Sequence, residues 1–314
     1  MPPDQLALFD PKLAPPAAAQ RAPALDPAAP LETAFAAWLD HLRQKDTSRH
    51  TLQAFKLDVN LLVEYVEPGL PLNLVTTGLL NKFLHWMKNE RGVPCSDKTY
   101  GRRVTSLKAF FRWAAPAAQL RADPSEAVLQ LSVRSPLPEV LTGEEVEKCL
   151  AAGEILRHGE KPDLRPLLLF TLLLQTGMKK VEVANLKKDH IDASHAAEPF
   201  LFVRYPEKKD WPKERKLRLT PEWVELYRDY LSEYAPKENV FIWSVRKLEY
   251  SLGDVGRAAG LEKSVSFDTM RWTCAVRDFK AGMEADALRR KLGLSPIQWR
   301  ETKSRIEKLA NGGV

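Results

Sequence analysis

Three stretches of the sequence concentrate side chains that could bind phosphate. Residues 91–134 hold eight basic side chains against three acidic ones, and residues 204–218 and 285–310 each hold seven against three. Clustered lysine and arginine side chains neutralise DNA phosphates and release their counterions. For one cluster alone, a solvated helix face or an exposed hairpin is the simpler interpretation. Three clusters spread over the chain favour a nucleic-acid partner.

The side chains expected to contact DNA form two groups. Those on a predicted helix in the first half are Lys98, Arg102, Arg103 and Lys108, and those in the second half include the hairpin residues Lys208, Lys209, Lys213 and Arg215.

Other chemistries find little support in the residue pattern. His190 and His195 are five apart, and none of the six histidines forms a zinc-ligand pattern with cysteine. Gly253, Gly256 and Gly260 lack the spacing of a dinucleotide or phosphate-binding loop. We therefore expect no cofactor and no metal.

Composition indicates an ordinary globular protein: of 314 residues, 44% are hydrophobic and 28% charged, and the net charge is +6. The longest nearly unbroken apolar stretch, residues 166–174, is about half the ~20 residues that span a bilayer. The three cysteines are far apart and odd in number, which favours a reducing compartment. We expect no membrane association and a cytoplasmic location, with the nucleoid as the site in a bacterium.

The elements that must position these cations begin after a Pro/Ala-rich segment. Residues 1–30 contain eight prolines and nine alanines, and we expect a disordered tail in which Leu6, Leu8 and Phe9 are a candidate docking motif. Residues 31–133 show four amphipathic helical patterns, with helix-start signals at Ser48, Thr76 and Ser96. This predicts a compact all-helical domain.

A proline-containing connection near residue 135 leads to a second domain, residues 137–314. Thr142 and Glu145 form a capping-box pattern, and residues 164–175 predict a buried helix. Residues 199–205 and 215–220 alternate like strands, with a polar hairpin tip at 206–214. Helical patterns return at 223–234, at 245–259 and from Asp268 to the end. The fold class expected is mainly α with a small antiparallel β-sheet.

Motifs in both domains resemble the tyrosine recombinases of the phage integrase family (Xer-like), over roughly residues 31–310. In the first domain these are Ser48-Arg49-His50-Thr51 and Asp123-Pro124, and in the second 137–142 and Thr176-Gly177-Met178-Lys179-Lys180-Val181-Glu182. Arg271 and Leu292-Gly293 fall, without a gap, where the family has its His-x-x-Arg and Leu-Gly-His boxes. The resemblance implies a SAM-like core-binding domain followed by a catalytic-type domain.

The family's chemistry requires a tyrosine that attacks the scissile phosphate and forms a covalent 3′-phosphotyrosyl bond. Two arginines hold the non-bridging oxygens, and a hairpin lysine protonates the leaving 5′-oxygen. Histidines or a tryptophan assist the proton transfer. By this resemblance Arg271 is the second arginine, and Lys208 or Lys209 is the hairpin lysine, a choice that the hairpin length leaves open.

Four positions depart from the family's pattern. Lys179 replaces the first arginine, Asp268 the histidine of the second box, and Leu294 the histidine or tryptophan of the third. Lys303 stands where the tyrosine would lie. For Lys179 and Lys303 the alternative to a phosphate contact is an ordinary surface lysine. For Arg271 the alternative is a structural ion pair with Asp268 three residues earlier.

Two absences hold whatever the alignment: the last tyrosine in the sequence is Tyr250 and the last histidine is His195. Ser304 adjoins Lys303 but has no evident base to activate it. The resemblance with these departures predicts a catalytically inactive tyrosine recombinase homologue, a pseudoenzyme that clamps duplex DNA or has an architectural or regulatory role.

Two alternatives stay open. One is a site-specific recombinase or integrase that acts in DNA recombination or integration only with a competent partner. The other is a protein–protein adaptor that has lost DNA binding. The expected partner is double-stranded DNA, with a competent recombinase or another protein as a second partner. A monomer or dimer is expected rather than a tetramer.

Overall fold

The computed structural model describes residues 25–128, 136–194 and 198–312. The chain divides into two compact units between residues 135 and 136. The candidate motif Leu6, Leu8 and Phe9, and most of the connection near residue 135, lie outside the described residues.

The described residues of the first unit form four α-helices: α1 (Leu31–Gln44), α2 (Arg49–Tyr65), α3 (Thr77–Asn89) and α4 (Asp97–Ala117). The side chains of Ser48, Thr76 and Ser96 each accept a hydrogen bond from a main-chain N–H in the following first turn. These caps confirm the helix starts predicted from the sequence. The core is rich in aromatic rings, with Phe35 and Trp38 of α1 packed on Phe110 of α4.

Residues 25–30, which we predicted to belong to a disordered tail, are instead attached to the first unit. Leu25 N donates to Ala117 O at 3.0 Å, and the main chain of residues 27–31 bonds with that of residues 70–73. Residues 25–30 are therefore part of the first unit, because these hydrogen bonds and the apolar Leu25 attach them to its helices.

The second unit surrounds the buried helix α6 (Arg165–Thr176). Its other helices are α5 (Gly143–His158), α7 (Lys180–Ala184), α8 (Pro221–Tyr234), α9 (Val245–Ala258), α10 (Phe267–Lys280), α11 (Ala285–Lys291) and α12 (Pro296–Ala310). The antiparallel sheet has the order β1 (Ile191–Asp192), β2 (Phe200–Val203), β3 (Arg215–Arg218). The mainly helical fold with a small antiparallel sheet is confirmed.

The structure adds detail to two of the predicted regions. The hairpin tip between β2 and β3 contains a short 3-10 helix, Lys208–Lys213. The helical region after Asp268 is three helices, because Gly282 and Gly293 adopt left-handed conformations with φ of 83° and 58°. Glycine permits these turns at little steric cost.

Candidate functional site

A buried carboxylate, Glu182, organises the candidate site in the second unit. It lies on α7, where its Oε2 accepts a hydrogen bond of 2.8 Å from the main-chain N of Lys179. Arg215 at the start of β3 donates to both carboxylate oxygens, at 3.0 and 2.8 Å. The Arg215 side chain is 7% exposed and that of Glu182 is 0% exposed. The two-point contact therefore ties α7 to β3 inside the protein.

Tyr205 also contacts this carboxylate, because its hydroxyl group donates a hydrogen bond to Glu182 Oε1. Burial and this hydrogen bond raise the pKa of Tyr205, so it remains a donor at neutral pH. Burial alone would raise the pKa of Glu182, but the hydrogen bonds and charge of Arg215 outweigh it and lower that pKa. Glu182 is consequently an ionised group at neutral pH.

Arg271 on α10 reaches the same neighbourhood through main-chain oxygens. Its Nη1 donates to Gly177 O at 2.6 Å and its Nη2 to Leu292 O at 2.5 Å. Burial lowers the pKa of Arg271, and the charge of Glu182 opposes this. The two carbonyls belong to the first and third sequence boxes, so Arg271 joins all three boxes.

Asp268 lies at the start of α10, where it interacts with the end of the helix and not with Arg271. It is exposed in the first turn of α10, where helix N–H groups favour a carboxylate. Within the described residues Arg271 makes no ion pair with Asp268, so this alternative for Arg271 is wrong.

Lys179 caps α7 and extends a half-buried side chain toward the third box. Its Nζ lies 3.4 Å from Gly293 O. Burial lowers the pKa of Lys179, and the charges of Arg271 and Arg215 lower it further against the effect of Glu182. An anion beside Lys179 would relieve this repulsion.

The third sequence box contributes main-chain carbonyl groups to the site, those of Leu292 and Gly293, rather than a side chain that donates a proton. A Cβ on Gly293 would lie 2.8 Å from Arg215 Nη1, so the absence of a side chain there makes room for the guanidinium. Leu294 packs against an apolar cluster that includes Trp272 and Trp299. Its carbonyl accepts a bond of 3.1 Å from Arg289 Nη1.

The lysines of the hairpin differ in the side chains that they already contact. Lys213 Nζ lies 2.5 Å from Asp210 Oδ1, Lys209 pairs with Glu207, and Lys208 lies 6.0 Å from the Trp211 ring centroid. Arg215 does not occupy the exposed position that a direct DNA contact requires. The alternation of β3 places it inward against Glu182, and we correct the sequence prediction for this residue.

The C-terminal helix α12 carries Lys303, the position of the family's tyrosine. Its side chain is 45% exposed, and Nζ lies 3.7 Å from Glu307 Oε1, one helical turn later. The structure therefore presents Lys303 as a partly exposed lysine on a helix face.

In the first unit, the predicted DNA contacts on α4 divide by exposure. Lys98 is exposed and Lys108 is half-buried. The Arg102 side chain is 47% exposed and that of Arg103 only 17%, and both lie against the buried Asp58. Arg103 is thus mostly enclosed, and Lys98 and Arg102 are the more accessible of the predicted DNA contacts.

Sequence reasoning did not assign roles to the two buried carboxylates, Glu182 and Asp58. A signal was present for Asp58: position 58 follows Phe55 by three residues and precedes Leu62 by four, on the apolar stripe of α2. A carboxylate on such a stripe requires buried partners. For Glu182, the capping position after Lys179 was the available local signal.

The described part of the chain contains no group of three or more His, Cys, Asp or Glu side chains placed to hold a metal ion. In that same part, no helix has both the length and the apolar character needed to cross a bilayer.

Comparisons with known proteins relate both units to one family. Residues 35–117 match the phage integrase N-terminal SAM-like domain, and residues 139–299 match the phage integrase family. A tyrosine recombinase of Thermosipho africanus is 26% identical, over 82% of this chain and 89% of that protein. Tyrosine recombinase XerD of Listeria innocua is 23% identical, over 85% and 91%.

Solved structures share the fold at lower identity. XerH site-specific recombinase bound to palindromic difH substrate has a TM-score of 0.69 at 16% identity, covering 92% of this chain and 88% of that one. A lambda integrase dimer bound to a core site has a TM-score of 0.69 at 14% identity, covering 87% and 94%. The catalytic-domain match alone spans half of the sequence, and the chain therefore belongs to the phage integrase family.

Proposed function

We propose that this protein binds duplex DNA through both of its units and does not cleave the strand that it holds. The observation that carries the proposal is the charge around Glu182. This single carboxylate is bonded by Arg215, while the side chains of Lys179 and Arg271 are directed to main-chain carbonyls. Three cations against one carboxylate leave a local excess of two positive charges.

A DNA phosphate would offset part of this excess of positive charge. Lys179 and Arg271 come from two different elements, and both have pKa values lowered chiefly by burial and further by repulsion from Arg215. A bound phosphate would offset that repulsion and accept charge-assisted hydrogen bonds. Lys179 acts as a point charge here, because a lysine cannot grip two oxygens as an arginine does.

The groups present at the family's chemical positions support the proposal that the chain does not cleave DNA. A phosphotyrosyl bond needs a hydroxyl nucleophile and a group to move its proton. Lys303, Leu294 and Asp268 occupy these positions, and the sequence has no tyrosine after Tyr250. Leu294 packs into an apolar cluster, where it can neither give nor accept a proton.

Binding is tested by gel shift of the full chain with a random duplex pool at roughly 50 and 200 mM salt. A protein that makes several phosphate contacts loses affinity steeply over this range. Lys179→Gln should weaken binding about 2- to 10-fold and lower the salt slope by about one. Lys161→Gln, at an exposed lysine outside the basic clusters, is the matched control and should leave both unchanged.

An adaptor without DNA binding predicts no salt-dependent shift of any duplex. A wild-type chain that shifts no DNA at the lower salt concentration would therefore overturn the proposal.

A second function is favoured by the names of the relatives, which are recombinases. In this version a competent recombinase supplies the nucleophile, and the present chain occupies a neighbouring DNA site. It predicts that the chain raises the yield of recombinant product when added to such an enzyme, and that the chain alone yields none. No change in product yield would reject this version and leave the non-cleaving DNA-binding proposal intact.

A further inference from the structure

The buried carboxylate of the first unit contacts a cation that reaches the surface. Asp58 on α2 is 1% exposed, and its Oδ2 lies 2.5 Å from Arg102 Nη1. Ser106 Oγ donates to the same oxygen at 2.7 Å, and Arg103 Nε lies 3.5 Å from Oδ1. The carboxylate therefore holds three side chains of α4.

Stability alone is a weak reason for this arrangement. Removing a carboxylate from water is costly, and well-packed apolar residues often replace buried ion pairs without loss of stability. Because burying the Asp58 carboxylate is costly, we expect its fixed contacts to have a role other than stability. The contact with Arg102 offers the clearest one.

Arg102 is held on one side and open on the other. A guanidinium has five N–H donors, and the contact with Asp58 uses one of them at Nη1. The side chain is 47% exposed, so other donors face solvent. Lys98 precedes Arg102 by four residues on the same helix and is also exposed, which places two cations on one face of α4.

We propose that Asp58 is a positioning residue for DNA binding: it orients Arg102 so that the outer N–H groups of the guanidinium meet a phosphate. This inference rests on the proposed DNA-binding function. Without the carboxylate, Arg102 samples many rotamers, and binding must then order a long side chain.

If only net charge mattered, removing Asp58 would change the DNA affinity in the opposite direction. Asp58 is negative, so its removal makes the unit more positive and should strengthen attraction to DNA if position did not matter. The direction of the change in affinity therefore separates the two explanations.

The test is a gel-shift series with the full chain at fixed low salt. Asp58→Ala should weaken binding about 3- to 10-fold, the size expected for one side chain that binding must newly order. Asp58→Asn keeps an acceptor without the charge and should weaken binding less, in the same direction. In an Arg102→Ala background neither substitution should weaken binding further, because the positioned group is gone.

Unchanged or tighter binding by both Asp58 variants, or an equal weakening in the Arg102→Ala background, would overturn the inference. Urea unfolding of each variant reports whether it is folded, and Asp58→Asn carries the test if Asp58→Ala does not fold. A wild-type chain that fails to shift DNA would instead reject the proposed function, so the two failures are distinguishable.

Discussion

At the level of single residues, the ion pair of Glu182 with Arg215 has the clearest energetic consequence. Glu182→Gln removes the charge and leaves the Arg215 guanidinium, 7% exposed, without its carboxylate. Breaking a buried pair from one side costs about 3–5 kcal/mol. We expect urea unfolding at neutral pH to show a loss of this order.

Glu198→Gln is the matched control for that experiment. Glu198 pairs at 3.6 Å with Arg218, which lies on the same strand as Arg215, but the side chains of Glu198 and Arg218 are 72% and 85% exposed. Exposed pairs contribute roughly 0–1 kcal/mol. Equal losses for the two variants would contradict the structural role assigned to Glu182.

The stability that Glu182 provides should also depend on pH. Its folded-state pKa is lowered below the ordinary 4.5, so its contribution is fully present above about that pH. The contribution is lost as pH falls through the folded-state pKa, because protonation then removes the charge in both states. The difference in unfolding free energy between wild type and Glu182→Gln should shrink below about pH 4.5.

Urea unfolding of both proteins between neutral pH and about pH 3 measures this difference. A gap that stays constant over the acidic range would show that folding does not lower the pKa of Glu182.

At the level of elements, the turn between α11 and α12 is constrained by a neighbouring strand. Gly293→Ala places a Cβ where φ is 58° and where Arg215 Nη1 would lie 2.8 Å away. The left-handed conformation alone costs about 1–2 kcal/mol, and displacement of the guanidinium adds about 1–3 kcal/mol. We expect thermal unfolding to show both contributions.

Gly260→Ala separates these two contributions. Gly260 has a similar φ of 67°, but a Cβ there would meet nothing within 4 Å. The control should therefore lose only the conformational part. If it lost as much stability as Gly293→Ala, close packing of Gly293 against Arg215 would not matter.

Element starts could be predicted because their causes are local. Ser48, Thr76, Ser96 and Thr142 each accept a hydrogen bond within their own first turn. The pairing of Arg215 with Glu182 could not be predicted in the same way, since the two residues are 33 positions apart. Periodicity puts Arg215 on the same strand face as Leu217, but the location of its partner depends on the tertiary fold.

The candidate site was predictable as a set of sequence boxes, and less so as a set of contacts. Lys179, Arg271 and Gly293 were singled out from the sequence and are joined in the structure through main-chain carbonyls. These carbonyls carry no sequence signal, because every residue has one. In the sequence, Asp268 was the evident partner for Arg271 because it is an acidic residue three positions earlier on the same predicted helix.

At the level of the whole molecule, the net charge of +6 is less informative than its distribution. If both units contact DNA, Lys98→Gln and Lys179→Gln should each weaken binding, and the double variant should show the product of the two factors. Gel shifts of the four proteins at one salt concentration measure this. If one of the single variants bound DNA as tightly as the wild type, its residue would not contribute to binding, and the contact would be restricted to the other unit.

The central claim is that the chain holds DNA without becoming joined to it. Duplexes enriched from a random pool by repeated gel shift, then nicked so that a cleaved strand cannot be resealed, test this claim most directly. The same end-labelled sample is run on a native gel and on a denaturing gel. We predict a shifted complex on the native gel and only free-length labelled strand on the denaturing gel. A labelled band that survives denaturation and is removed by protease would demonstrate a covalent protein–DNA bond and contradict the account.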